Sequence, residues 1–268
     1  MTATANHSRM NFPSLWSAFI VLGCGLLFAG HLAAEDSSFS NSLAQAARAE
    51  KRGDVPEAIK IYAAAEPLAA SNVVQLCALT RSYCDLMYLT NSTAGQKGLA
   101  ERALACALEA VKAGPTNATA HACLAVCYAK SCAFAGIKTE LAYSRLFKTE
   151  AEKTIALDPR QDIAYYLLGR WHYGIANVGR LSRMFVKVVY GGLPDASNAA
   201  AIKNFQTAIA LAPNRIIHHA GLAAVYEATG EKKPALAELK KCCALKPVDH
   251  EDVEAQREAE KKLAALQP

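Results

Sequence analysis

The chain has 268 residues, 52% of them hydrophobic and only 7% aromatic, with a formal net charge of +5. Alanine is abundant, and glycine and proline sit mostly at punctuation points. That composition favours an all-α fold with close helix packing, because alanine costs least in a helix and lets backbones approach. The weak, scattered positive charge carries no nucleic-acid signature, so no nucleic-acid partner is expected.

The N-terminus reads as a separate object. Polar residues 1–13, with Arg9, lead into an apolar run from Leu15 to Gly30, then Ala33-Ala34 and the polar switch Glu35-Asp36. A basic start, a short apolar core and small residues before a polar stretch describe a secretory signal over 1–34. A spanning helix needs about 20 apolar residues, and this run is shorter. Cleavage after Ala33 or Ala34 exports the chain to a periplasmic or secreted location; an uncleaved run leaves a membrane anchor. Cys24 sits in a lipoprotein-like phrase, but the apolar run continues past it, which disfavours acylation. The eight remaining cysteines include no C-x-x-C pair, so they read as small buried apolar residues.

From about Phe39 the chain reads as helical hairpins. Gly53 falls in a turn, followed by Ala58, Tyr62 and Ala65. Four later helices close on prolines in similar phrases, at Pro115, Pro159, Pro213 and Pro247. The last unit is uninterrupted. Counting Ile216 as its first position, Leu222 and Ala223 are seventh and eighth, Tyr226 eleventh, Ala235 twentieth and Pro247 thirty-second. Those are the tetratricopeptide positions: small residues let two helices approach, and proline stops the second. Leu124, Ala125 and Tyr128 repeat the first-helix positions, as do Leu168 and Gly169. The pattern predicts an all-α, right-handed solenoid of about five hairpins over 39–249, with insertions in the third and fourth. A charged helix over 250–268 caps it, solvated as the end of a stack should be.

Further phrases are more specific than the repeat. Tyr143-Ser144-Arg145, Leu168-Gly169-Arg170-Trp171-His172-Tyr173, Tyr190-Gly191-Gly192-Leu193-Pro194 and Ala212-Pro213-Asn214-Arg215 together resemble the regulator of microtubule dynamics family. These are tetratricopeptide proteins with eukaryotic members and bacterial relatives. The resemblance covers roughly residues 80–247. It implies a protein-binding role, and eukaryotic members are associated with microtubules, spindle poles and organelle membranes. Tubulin or microtubules as partners follow from the resemblance alone.

In such a stack the first helix of each hairpin lines a concave groove, which predicts a protein or peptide ligand there. Its outward positions include Val126 in the third unit, Ile163, Tyr166, Arg170 and Tyr173 in the fourth, and Ile217 and Glu227 in the fifth. Arg170 between two tyrosines offers a planar fork and rigid contact area to an acidic or carboxylate-bearing segment. The alternative is that Arg170 pairs with an acidic side chain of its own chain while the tyrosines pack between repeats. The insertion after Tyr173 places Leu181, Met184, Phe185 and Val188 at helical spacing, with Arg180, Arg183 and Lys187 on another face. Such a basic amphipathic helix suits a membrane or an acidic partner. The commoner arrangement packs the stripe on its own domain and leaves the charges solvated. A lipid-binding or membrane-contact protein, using an apolar groove and this insertion, is the second functional reading. His121 and His219 share the fourth repeat position, which favours packing. No nucleophile, paired catalytic carboxylates or metal motif stands out, so the expectation is a non-catalytic scaffold without cofactor or metal.

Overall fold

The computed structural model describes residues 37–266; the expected signal or anchor and Cys24 lie outside them. The described residues form twelve α-helices: α1 (Ser37–Lys51), α2 (Val55–Ala65), α3 (Val73–Leu89), α4 (Thr93–Ala113), α5 (Ala118–Ser131), α6 (Ile137–Leu157), α7 (Asp162–Ala176), α8 (Arg180–Tyr190), α9 (Asn198–Leu211), α10 (Ile216–Thr229), α11 (Lys232–Ala244) and α12 (His250–Leu266). They pair as hairpins α1/α2, α3/α4, α5/α6, α7/α9 and α10/α11, each stacked on the next. The solenoid is thus five hairpins, with α8 inserted inside the fourth.

Local chemistry sets the boundaries. Asp54, Asn72, Ser92, Asn117 and Ser197 each accept a backbone N–H from the first turn of the following helix, satisfying a donor that the helix cannot pair internally. Gly53 and Gly230 take φ of +74° and +80° in the turns of the first and last hairpins, a conformation that glycine adopts without strain.

Small residues let the helices close. Ala58, Ala103, Ala110, Ala125, Ala201, Ala208, Ala223 and Ala235 are all buried between helices. The tightest approach surrounds Phe205 on α9, whose ring lies on the backbones of both α7 and α10. A Cβ added at Gly169 would stand 2.9 Å from that ring, and one at Gly221 only 2.4 Å. Trp171, fully buried, holds α7 to α6 by donating its indole N–H to the Ser144 carbonyl and hydroxyl, both at 3.1 Å.

The repeated histidines are more than packing. His121 contacts Glu150 at 2.5 Å through Nδ1 and the Pro115 carbonyl at 2.9 Å through Nε2. His219 does the same with Glu238 at 2.6 Å and the Pro213 carbonyl at 2.9 Å. Each ring ties a hairpin's second helix to the proline that ends the hairpin before it. Burial pushes the Glu238 carboxyl up, but hydrogen bonds from His219 and Lys241 outweigh it and hold the group below its ordinary value. The cysteines are free thiols among the described residues, all buried except the half-buried Cys243.

Replacing Gly221 with Ala drives a methyl group into Phe205. Overpacking of this kind costs about 1–3 kcal/mol, and thermal unfolding followed by circular dichroism should show a lower midpoint. The double variant Gly221→Ala, Phe205→Leu should recover part of that loss, whereas an unchanged midpoint in the single variant would contradict the contact.

Candidate ligand-binding face of the solenoid

The first helices α3, α5, α7 and α10 line the inner face, and α12 crosses it. α12 packs on α10 and α11 and reaches α3, three hairpins away. Its outer face is charged, but its first turn is not solvated: Glu251 and Asp252 are 1% and 0% exposed. The expectation of a solvated cap therefore fails at the first turn. The outward face of α12 is wet, and its N-terminal turn plugs the groove.

Each carboxylate in that plug has a job. α10 begins without a side-chain cap of its own. Asp252 supplies one from α12, accepting the Ile217 N–H at 3.1 Å. Its other oxygen accepts the Val248 N–H at 3.3 Å. Asp249 caps α12 by accepting the Asp252 N–H at 2.9 Å and pairs with Arg215 at 2.8 Å. Glu251 reaches across the face, where the Tyr88 hydroxyl of α3 donates to it at 3.3 Å. Tyr88 in turn accepts from Lys130 of α5 at 3.1 Å, with the ammonium 4.7 Å from the Tyr88 ring centroid. Arg170 of α7 stands 5.7 Å from the Tyr166 ring centroid, a cation–π arrangement. On the inner face, Arg215 thus pairs with a carboxylate brought by α12, while the charges of Lys130 and Arg170 act on Glu251 from nearby.

The electrostatics follow from burial. Glu251 is pushed up to about 8 by desolvation, with Lys130 pulling the other way. Asp85, on α3, is pushed up to about 7, first by desolvation and then by the Asp249 charge. Burial also lifts the Tyr166 and Tyr88 hydroxyls well above their ordinary value.

The predicted groove residues fall into two sets. Val126, Ile163, Tyr166, Arg170 and Ile217 were expected to face outward, and all five are buried. Tyr166 packs against Phe205 and His218, at ring-centroid separations of 5.9 and 5.3 Å. Repeat register places these side chains on the inner face; Tyr166 is buried there between repeats, as the alternative reading had it, and α12 meets Ile217 through Asp252. Tyr173 is half-buried and Glu227 exposed, the latter paired with Lys262 of α12. Sequence reasoning missed Tyr88, Lys130 and Arg215, and missed that Asp249, Glu251 and Asp252 belong to the same cluster. The one available signal was the acidic phrase Asp249-His250-Glu251-Asp252, one residue after the last closing proline.

Beside the plug the face stays open. A cleft of about 500 Å³ lies between α12 and the ends of α3 and α5, lined by Met87, Tyr88, Phe134, His250, Val253 and Arg257 among others. The insertion departs from its commoner arrangement too. α8 forms where the spacing placed it, but Leu181, Met184 and Val188 are exposed and do not pack on the domain. Arg180, Arg183 and Lys187 are also exposed. No group of three metal-binding side chains occurs among the described residues, and none of their helices is long and apolar enough to cross a membrane.

Stacked hairpins with an enclosed inner face define a tetratricopeptide-type scaffold. A tetratricopeptide protein of the thermophile Thermus thermophilus shares this fold, with a TM-score of 0.59 at 18% identity over 85% of this chain and all of that one. Residues 42–267 match the family described as regulator of microtubule dynamics protein 1-3, and the chain belongs to that family. It is 31% identical to regulator of microtubule dynamics protein 3 of Xenopus laevis over 70% of this chain and 41% of the relative. It is 28% identical to the human protein 2 over 69% of this chain and 46% of the relative. The chain therefore spans less than half the length of these two relatives.

The raised Glu251 group links the plug to pH. The folded chain keeps a proton that the unfolded chain releases in the ordinary carboxylate range. Stability should therefore fall as pH rises from that range, with the loss complete above about 8. Protection of the first turn of α12 against hydrogen exchange, after correction for the intrinsic base-catalysed rate, should fall from pH 6 to about 9. Glu251→Gln should flatten that dependence; a wild-type profile in the variant would place the proton elsewhere.

Proposed function

We propose that the chain is a non-catalytic protein-interaction scaffold whose inner face recognises an acidic segment of a partner protein. The observation that carries this reading is the face's own occupant. Lys130, Arg170 and Arg215 surround carboxylates of α12, so the face is chemically suited to a carboxylate-bearing peptide. The segment already there serves as an internal stand-in for that ligand. A partner enters at the cleft beside Phe134 and Val253 and competes with the first turn of α12 for the cationic side chains. Tyr166 and Tyr173 supply rigid walls, and Val126, Ile163 and Ile217 the apolar floor. Glu227 holds α12 through Lys262 and so helps set how easily the plug lifts.

The names of the relatives connect this family to microtubule dynamics, and microtubules are the first partner to test. A second reading, contact with a membrane, is favoured by the apolar side chains that α8 holds in solvent. The inner face itself, filled by a charged segment, favours a protein ligand there over an acyl chain.

Photo-crosslinking from a probe at Val253 in the full chain, with mass spectrometry of the captured species, tests the face. Co-sedimentation with polymerised tubulin tests the microtubule partner. Loosening the plug with Asp252→Asn should raise capture several-fold, and Arg170→Ala should lower it by about tenfold, the cost of one charge-assisted hydrogen bond. Every captured protein retained at full affinity in Arg170→Ala would remove the inner face from recognition.

A further inference from the structure

The inserted helix α8 is built unlike the rest of the molecule. Leu181, Met184, Val188 and Val189 are 79%, 61%, 81% and 51% exposed. At 100° per residue these four share one side of the helix with the half-buried Phe185. Val186 turns fully inward. Other exposed large apolar side chains, such as Leu68, Val74 and Leu108, are single residues on separate helices, which is ordinary for a protein surface. The α8 cluster is a continuous ridge, and such ridges mark interaction sites.

The ridge stands on a fixed base. The Asn177 side chain at the end of α7 donates to Asn198 at the start of α9 at 2.7 Å, strapping the two ends of the insertion together. The Arg183 guanidinium donates to the Ile175 carbonyl at 2.8 Å and the Ala176 carbonyl at 3.4 Å, closing the C-terminus of α7. Gly191 and Gly192, at φ of +81° and +111°, end the helix and return the chain to the body.

Charge says what the ridge meets. Arg180, Arg183 and Lys187 lie along one flank of the apolar stripe, and all are exposed. No acidic residue occurs between Asp162 and Asp195. An apolar ridge with a basic shoulder matches a layered medium, hydrocarbon below and phosphate above. We propose that α8 docks the protein on an anionic lipid surface. Leu181, Met184 and Val188 enter the headgroup–acyl boundary, and Arg180 and Lys187 meet lipid phosphates. This rests on the membrane-contact reading above and adds to it the helix and the headgroup charge.

The test is vesicle flotation of the full chain, with phosphatidylcholine vesicles set against vesicles that also contain phosphatidylserine. Three chains are compared: wild type, Leu181→Ser with Val188→Ser, and Arg180→Gln with Lys187→Gln. Because the altered side chains are exposed, all three should unfold at the same temperature. Wild type should prefer the phosphatidylserine vesicles, and the preference should fade with added salt. Removing both basic groups should weaken binding about fivefold per charge, and the serine pair should lower it on both vesicle types. Equal α8-dependent binding to the two vesicle types would overturn the anionic assignment while leaving membrane contact standing. Binding that the serine pair leaves unchanged would overturn both. So would a wild-type dimer that the serine pair dissociates, because the ridge would then be covered by a second copy.

Discussion

The burial of the α12 carboxylates on the inner face is the constraint on which much of this structure depends. Asp252 caps α10, a helix that begins without a cap of its own, and Glu251 reaches Tyr88 on α3. A solenoid of hairpins is held mainly by contacts between neighbours. These two side chains add a link across three hairpins, so the first and last parts of the array are not independent. Taking carboxylates out of water is expensive unless they are hydrogen-bonded or paired. The cost is met here by a backbone N–H, a tyrosine hydroxyl and three nearby cations, and it leaves Glu251 holding its proton into the neutral range.

On the proposed reading, recognition and stability use the same side chains. Arg170 and Lys130 support the closed array and are also the groups that a carboxylate-bearing partner would engage. Such an arrangement makes binding competitive, since a ligand shifts the equilibrium only by its affinity beyond that of the resident segment. The histidine bridges at His121 and His219 carry no such double duty. They lock hairpin to hairpin through the carbonyl before each repeat boundary, which gives the inner face a rigid backing.

α8 shows the opposite economy. Its apolar ridge adds little to the core, and the asparagine strap and the Arg183 cap fix it at its base. Membrane contact through α8 and protein recognition on the inner face would be separable, because they use different elements. A scaffold arranged in this way can hold a partner near a lipid surface without either contact disturbing the other.

The repeat was legible from sequence because its determinants are local. Alanine and glycine at helix contacts, proline at hairpin ends and capping residues at helix starts act within a few positions of themselves. Pro115, Pro159, Pro213 and Pro247, Gly230 and the Leu222–Tyr226 phrase therefore placed the hairpins, and the spacing of Leu181, Met184, Phe185 and Val188 placed α8. Register also put Tyr166, Arg170 and Ile217 on the inner face. Their burial was not legible, because it depends on what later helices bring to that face: Phe205 and His218 against Tyr166, and Asp252 of α12 against Ile217. The acidic phrase around Glu251 was the one hint, but a charged helix after a final repeat reads as a solvated end. Likewise, amphipathic spacing in α8 established that one side is apolar but not whether the protein itself would cover it. Periodicity reports which side chains share a face. Only the tertiary structure decides what that face meets, because long-range closure depends on the summed geometry of all five hairpins.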